Sequence, residues 1–572
     1  MTRLASIPYP GLIKLLFVLG GVIYVRGLFI DVMEVDSAQY AAIAKEMLNT
    51  RSFLEVYFQG ADYLDKPPLI FWTAAGLFSI FGVHTWVFKL PTFLFTIIGL
   101  FSTFKIGERL YSKEVGVVSA LILFATQATF LMNNDVRTDG LLTGIIPFAI
   151  WQILEFIQSQ KRSSLIWGFI GIGLGMLAKG PLGLMIPLLA LGTYFIANRQ
   201  WKDLFRKEWL LGILITAVVL SPMVWGLYTQ FDMHPEKEVR FFSESGEEWK
   251  TGVSGVRFYF WTQSFGRLTG ENVWKDDSGP TFFIDNYLWS FLPFSFLGIW
   301  ALFHSLKEAG QQWLTGRGSP DWLLIGGFLF PFIAMSFSQY KLPHYIWPTY
   351  PFLSILVAKL VFYLMDRPGK WRIHLADILQ GLVLLLSIAF GILIQFRFFP
   401  FPSWGMIIGW VALVLWSVYL FTRRKRFARW VLASVTASLS VNLVMNGHFY
   451  PHLLQYQSSS QVAHYLEAEN SSTPIFVNST DGGFALDFYM DKEYQVITMD
   501  GIRNRENLPN EFLLVVNSNA DPNLNDYSRE VIRSFPKFHI SILSLDFLIP
   551  ESRQETLRTI EIIRYSKIGI DP

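Results

Sequence analysis

"GLIKLLFVLGGVIYVRGLFIDVMEVDSAQYAAIAKEML", residues 11–48, decides what kind of protein this is. Residues 11–30 are almost wholly apolar, and about 20 such residues let a helix cross a hydrocarbon core of about 30 Å. No small-residue cleavage site follows, so the run is expected to stay as an anchor. The chain then leaves the bilayer through two acids, Glu34 and Asp36. Behind them Ala38, Ala41, Ala42, Ile43 and Met47 recur at helical spacing, which predicts an amphipathic helix lying on the membrane surface.

Working outward, the same apolar signature repeats. The 572 residues are 52% hydrophobic and 16% charged, against about 25% charged in a typical soluble domain, and the mean hydropathy is +0.36. Apolar runs fall at 11–30, 84–106, 114–132, 140–158, 164–178, 181–197, 209–229, 281–303, 322–338, 342–365, 373–396, 402–422 and 428–446, predicting thirteen crossings. A further apolar stretch, 67–82, is short and opens with two prolines, so it reads as a re-entrant or interfacial helix. Basic loops sort to one side of this layout: "KIGERLYSKE" (105–114), "QSQKRSS" (158–164), "NRQWKDLFRKE" (198–208), "HSLKEAGQQWLTGRG" (304–318), "DRPGKWR" (366–372) and "RRKRFAR" (423–429). Positive loops stay cytoplasmic, so the N-terminus is expected there too. Cysteine is absent, excluding disulfides, a thiolate nucleophile and Cys-held metals.

The opposite side receives an outer loop at 31–83, a second at 230–280, and the tail. Residues 1–446 are thus expected to form the transmembrane unit and 447–572 a small α/β domain outside the membrane. In the tail "SSSQVAHYLEAEN" (458–470) reads as a Ser-capped helix, and "PIFVN", "YQVITM", "FLLVVN" and "HISILSL" read as strands. No nucleotide fingerprint occurs.

Ionisable residues gather on the outer side. Asp36 and Glu34 start a helix and could simply cap it. Near them lies "DYLDKPP" (62–68), where Asp65 and Lys66 precede a proline pair. Carboxylates on neighbouring segments could deprotonate a hydroxyl or hold a divalent ion. Asp139, in "NNDVRTDGLLTG" (133–144), starts a returning helix at headgroup depth, as a cap or a functional acid; Asp135 reads as loop solvation, with Arg137 its partner. Lys179, in "MLAKGPLG" (176–183), either snorkels to the headgroups or counters a lipid phosphate. "SQYKLPHYIWPTYP" (338–351) crowds Tyr340, Lys341, His344 and Tyr345 into a Pro-broken turn, as an aromatic belt or a phosphate site. The segment 258–295 brings Arg257 and Arg267 to the membrane among aromatics.

Taken in order, "EVDSAQYAAIAKEML", "YLDKPPLIFW", "RTDGLLTG", "LAKGPLG", "GPTFFIDNYLWSFLPFS" and "QYKLPHYIWPTYP", spread over residues 34–351, resemble the bacterial lipid A aminoarabinose (4-amino-4-deoxy-L-arabinose) transferase family, within the GT-C membrane glycosyltransferases that include the protein O-mannosyltransferases. The resemblance implies a GT-C bundle and inverting transfer of a sugar from a polyprenyl (undecaprenyl) phosphate donor to lipid A or another envelope acceptor, at the periplasmic face of a bacterial inner membrane. It implies Asp36 as the essential acid and Asp139 as a second one. Lys66, Arg267 and Lys341, with Tyr340 and Tyr345, would meet the donor phosphate, and Asp65 matches a position associated with a divalent metal. The family's Asp-Glu-Ala-Arg-Tyr pattern stands here as "DSAQY", with Ser37 for an acid and Gln39 for an arginine. No nucleotide cofactor is implied. The expected partners are a lipid-linked sugar, a lipid or glycan acceptor and membrane lipids, not nucleic acid.

Two other readings use the same features. A glycan ligase or polymerase would act at the same face on a longer lipid-linked glycan. A solute or lipid transporter would carry ionisable residues at mid-span and broken helices in mirrored halves, whereas the acids here sit at span ends.

Overall fold

The computed structural model describes residues 7–243, 246–263, 266, 278–400, 402–469, 472–504, 508–520, 522 and 524–569, and every apolar run named above falls on helix. The opening helices are α1 (Pro10–Gly27), α2 (Asp36–Thr50), α3 (Leu69–Phe81), α4 (Thr85–Leu110), α5 (Lys113–Ala125), α6 (Gln127–Asn134), α7 (Thr138–Ser159), α8 (Arg162–Lys179) and α9 (Leu182–Ala197). Among the described residues eight helices are long and apolar enough to cross a membrane, or ten if two bent pairs each count as one span. The pairs are α5 with α6, bent by 55°, and Phe282–Ser290 with Ser295–Leu314, bent by 115°. This is a multi-pass membrane protein, and the expected thirteen crossings come down to eight to ten by that measure. The difference lies in α8, diluted by its charged ends and glycines, and in α9 and Asp321–Ser336. The last two have 16 residues each, about 24 Å of helix at 1.5 Å per residue.

Glycines let the outer-end helices meet backbone to backbone. A Cβ on Gly144 of α7 would stand 2.1 Å from the Phe95 carbonyl oxygen of α4, and one on Gly183 of α9 would stand 2.1 Å from Gly175 of α8. The "GIGLG" run is therefore packing surface: Gly171 faces Ala149 and Gly173 faces Val219.

Helix α2 departs from expectation. It does not lie on the membrane surface with one face in lipid: residues 37–45 are all buried, between α3 and the helix Phe484–Tyr489 of the C-terminal region. Alanines at 38, 41, 42 and 44 allow contact on every side.

The helical run Ala428–Tyr456 continues past residue 446, and a helix at Ser458–Ala468 follows it. That helix is not capped by serine; its N-cap is Gln457, whose side chain instead donates to the Val32 carbonyl at 2.9 Å and accepts from the Glu34 amide at 2.8 Å. After two hairpins in the outer loops, β1–β2 (Tyr57–Phe58, Ala61–Asp62) and β3–β4 (Val239–Ser243, Gly246–Lys250), the tail builds a sheet from β5 (Ile475–Asn478), β6 (Gln495–Ile497), β7 (Glu511–Asn517), β8 (Tyr527–Lys537) and β9 (Arg558–Lys567). The order is β6-β5-β7-β9-β8, with β5 parallel to β6 and β7, and β9 antiparallel to β7 and β8. Along β7, Leu513 and Val515 enter one apolar cluster while Phe512, Leu514 and Val516 enter another. Burial of both faces explains the unbroken run "FLLVV".

"HISILSL" is not a strand. It is a turn leading to the helix Leu545–Leu548, with Ser541 donating to the Glu34 carbonyl. The strands actually used, β8 and β9, carry charges on exposed positions and so lack the apolar run.

Replacing Gly144 with Ala should lower the thermal midpoint in detergent by an amount equivalent to about 1–3 kcal/mol of overpacking. Gly21→Ala, where nothing lies within 4 Å, should leave the midpoint unchanged.

Candidate active site

The turn between α6 and α7 sets the charges. Asp135 ends α6 and Arg137 precedes α7, both in extended backbone, while Val136 between them is buried. Two acids therefore bracket one guanidinium: Arg137 Nε donates to Asp135 Oδ2 at 2.9 Å, and Arg137 Nη1 donates to Asp36 Oδ2 across from α2. Asp36 is the first residue of its helix and makes no capping bond. Asp135 is buried rather than solvated. Burial raises its pKa, and the neighbouring Arg137 opposes the rise.

The second cluster lies on the next two helices. Asp139, in the first turn of α7, is fully buried. Lys179, the last residue of α8, donates to Asp139 Oδ1 at 2.6 Å and Oδ2 at 2.5 Å. The acid sits at a helix N-terminus and the cation at a C-terminus, so both macrodipoles favour the placement. Gly180 ends α8 at φ +67°, ψ −152°, a conformation open essentially to glycine alone. Lys179 Nζ also lies 3.9 Å from the centre of the Tyr345 ring, and His344 Nε2 lies 3.6 Å from Asp139 Oδ2. This lysine neither snorkels nor stands open to the headgroups.

These clusters share one cavity of about 990 Å³, part of it open to solvent. Asp36, Tyr40, Lys66, Arg137, Lys179 and His344 line its polar side, and Leu182, Met185, Ala334, Met335 and Leu342 form an apolar wall. Tyr345 and Gln263 complete the rim. The structure thus brings together Asp36, Lys66, Lys179, His344 and Tyr345, with Asp139 behind them.

Other expected site residues go elsewhere. Glu34, two residues before Asp36, turns away into the C-terminal domain. Lys341 donates to the Ser278 carbonyl at 2.8 Å, and Tyr340 packs against a cluster containing Leu64 and Phe231; neither lines the cavity. Arg267 lies outside the described residues. Arg257 follows a helix N-cap serine and is not part of the lining.

At Asp65 the Oδ2 is bonded to Lys66 Nζ at 2.6 Å, while the Oδ1 is buried without a hydrogen-bond partner among the described residues. No group of three or more His, Asp or Glu side chains with metal-binding geometry occurs among the described residues, so the expected metal stays unconfirmed. Sequence reasoning named Arg137 as a partner of Asp135, a pair the structure contains, but not as a partner of Asp36, and it passed over Tyr40 and Gln263 as site residues.

With this geometry in view, comparison with known proteins is informative. Residues 65–225 match the dolichyl-phosphate-mannose-protein mannosyltransferase family. The chain is 24% identical over 416 residues, 70% of both chains, to an undecaprenyl phosphate-alpha-4-amino-4-deoxy-L-arabinose arabinosyl transferase of Edwardsiella ictaluri. It is 22% identical to the enzyme of the same name from an Enterobacter species, over 72% of this chain and 71% of that one. The crystal structure of ArnT from Cupriavidus metallidurans bound to undecaprenyl phosphate superposes with a TM-score of 0.70 at 16% identity, covering 97% of this chain and 98% of the other. Fold and sequence together define a membrane glycosyltransferase of the GT-C class. The chain is similar to the ArnT-like members of that class in fold and, over about 70% of its length, in sequence.

Lys179→Met should leave Asp139 buried without its lysine, with His344 remaining at 3.6 Å, lowering stability by about 3–5 kcal/mol, read as a drop in thermal midpoint in detergent. The double variant Asp139→Asn/Lys179→Met should recover most of that loss.

Proposed function

We propose that the protein transfers a sugar from a polyprenyl phosphate donor to a lipid A-type or other envelope acceptor, with inversion, at the periplasmic face of a bacterial inner membrane. The observation that carries this reading is the cavity itself, whose lining combines cations with apolar side chains. A lipid phosphate ester needs both, and it needs no nucleotide site. The relatives named for undecaprenyl phosphate-linked aminoarabinose support the donor class.

In this reading the acceptor oxygen attacks the anomeric carbon from the face opposite the phosphate. The new C–O bond forms as the bond to the phosphate oxygen breaks, and the lipid phosphate leaves with the bonding pair. Lys66 is the cavity cation that meets the growing charge on that leaving group. An acceptor hydroxyl gives its proton to Asp36, which Arg137 holds at the cavity edge. An acceptor phosphate is already anionic, and Asp36 then orients it through Arg137.

Orientation follows from charge. The basic loops gather at the end of the bundle away from the cavity, where Arg109 binds Glu155 and Gln158, and Arg206 donates to Gln160 at 2.8 Å. That end is cytoplasmic under the positive-inside rule, with the N-terminus. The cavity and the C-terminal domain then face the periplasm.

Mass spectrometry of lipid A and other envelope glycans should show one sugar residue missing in cells lacking the gene. The wild-type gene should restore it, and Asp36→Asn, expressed and folded at normal levels, should not. Near-normal transfer by Asp36→Asn would remove the assignment. Defined donors carrying one sugar or an oligosaccharide would separate a transferase from a ligase or polymerase.

A further inference from the structure

We infer that the C-terminal domain is a positioning element for the cavity, gripping the chain on either side of Asp36, at Glu34 just before α2 and at Lys45 within it, and thereby setting Asp36. The inference rests on the reading of Asp36 given above.

At the front end, one carboxylate oxygen of Glu34 accepts from the Ala485 amide at 2.7 Å and the Ser459 hydroxyl at 2.9 Å. Its backbone is held as well: the amide donates to Gln457 at 2.8 Å, and the carbonyl accepts from Ser541. Three separate segments of the C-terminal domain, at 457–459, 485 and 541, thus converge on a residue two positions before Asp36. Space is tight, since a Cβ on Gly483 would come within 2.7 Å of the Glu34 carboxylate.

At the other end Lys45 Nζ, itself buried, donates to the Met490, Phe488 and Asp487 carbonyls at 2.5, 3.1 and 3.3 Å and pairs with Asp491 at 2.7 Å. These carbonyls close the helix Phe484–Tyr489, so the lysine caps that helix. The same short helix therefore bears on the chain at both grips, with Ala485 at Glu34 just before α2 and the carbonyls of residues 487 to 490 at Lys45 within it. The two grips are eleven residues apart, and from Asp36 to Lys45 the helix runs about 13 Å at 1.5 Å per residue. Asp36 lies between them, and its carboxylate reaches out of the grip to Arg137.

A displacement of about 1 Å at a reacting group can cost 100-fold in rate, so a domain that touches no substrate can still govern turnover. Glu34 adds a pH dependence. Burial raises its pKa to about 7, its bonds to Ala485 and Ser459 oppose the rise, and Asp487 adds to it; Lys537 is the cation facing it. The folded value lies above the unfolded one of 4.5. The stabilising contribution is therefore full below about pH 4.5 and is lost as pH rises through about 7.

The test uses full-length protein in detergent, with three measurements: binding of undecaprenyl phosphate, transfer from undecaprenyl phosphate-linked aminoarabinose (or whichever donor and acceptor the envelope comparison identifies), and amide exchange over residues 36–41. Glu34→Ala should lower kcat about 10- to 100-fold, speed exchange at 36–41, and leave undecaprenyl phosphate affinity within about threefold. Lys45→Met should act in the same direction and serves if Glu34→Ala does not fold. Glu34→Gln keeps an acceptor oxygen, so it should retain kcat within about threefold and lose the limb near pH 7 in the kcat profile. Wild-type kcat in both Glu34→Ala and Lys45→Met, or a Glu34→Gln as impaired as Glu34→Ala, would overturn the inference. Failure of the wild type to bind undecaprenyl phosphate would instead sink the donor reading, while amide exchange alone would still decide the grip.

Discussion

A carboxylate removed from water must find a cation, and this requirement organises the protein. At one mouth of the bundle Asp139 is fully buried and Asp135 nearly so, with Asp36 beside them at the cavity edge. Each is met by a basic side chain: Asp139 by Lys179 from the end of α8, and Asp36 and Asp135 by Arg137, which shares Asp135's turn before α7. An unpaired charge at such a site costs several kcal/mol, so the helix ends are bound to one another more strongly than apolar packing within a lipid-facing bundle would hold them. The cavity is the space these pairings leave.

The same pairings reconcile stability with chemistry. In the proposed reading, cations already held by carboxylates are preorganised: they do not need to move or shed water as phosphate charge develops, which is the condition for electrostatic catalysis. Tyr345 sets its ring face under Lys179, a cation–π contact. In the proposed reading the apolar lining from α9 and the helix Asp321–Ser336 receives the donor's lipid chain.

The C-terminal domain changes how the first outer loop is understood. Helix α2 has apolar residues at helical spacing and acid at its start, the features of a surface helix, yet it is enclosed. Its alanines accept a neighbour on each side, and the charged residues flanking Asp36, Glu34 before the helix and Lys45 within it, are bound by groups of a domain more than 400 residues further along the chain. The acid that looked most like a companion to Asp36 serves the other side of the helix.

Local and short-range physics was legible in the sequence. Apolar length marked every helical run, turn chemistry separated most of them, the ordered motifs from residue 34 to 351 carried the family, and Asp36, Lys66, Asp139 and Lys179 stood out because ionisable groups at a membrane face are too costly to be incidental. Three of the expected strands formed because short β-branched runs between turn residues have few alternatives. What depended on distant partners was not legible. Whether Arg137 would bind Asp36, whether Lys341 would face the cavity or Ser278, and whether Glu34 would point in or out are settled by segments far apart in the chain. A helix end offers a side chain several directions of equal local energy, and only the packed neighbours choose among them.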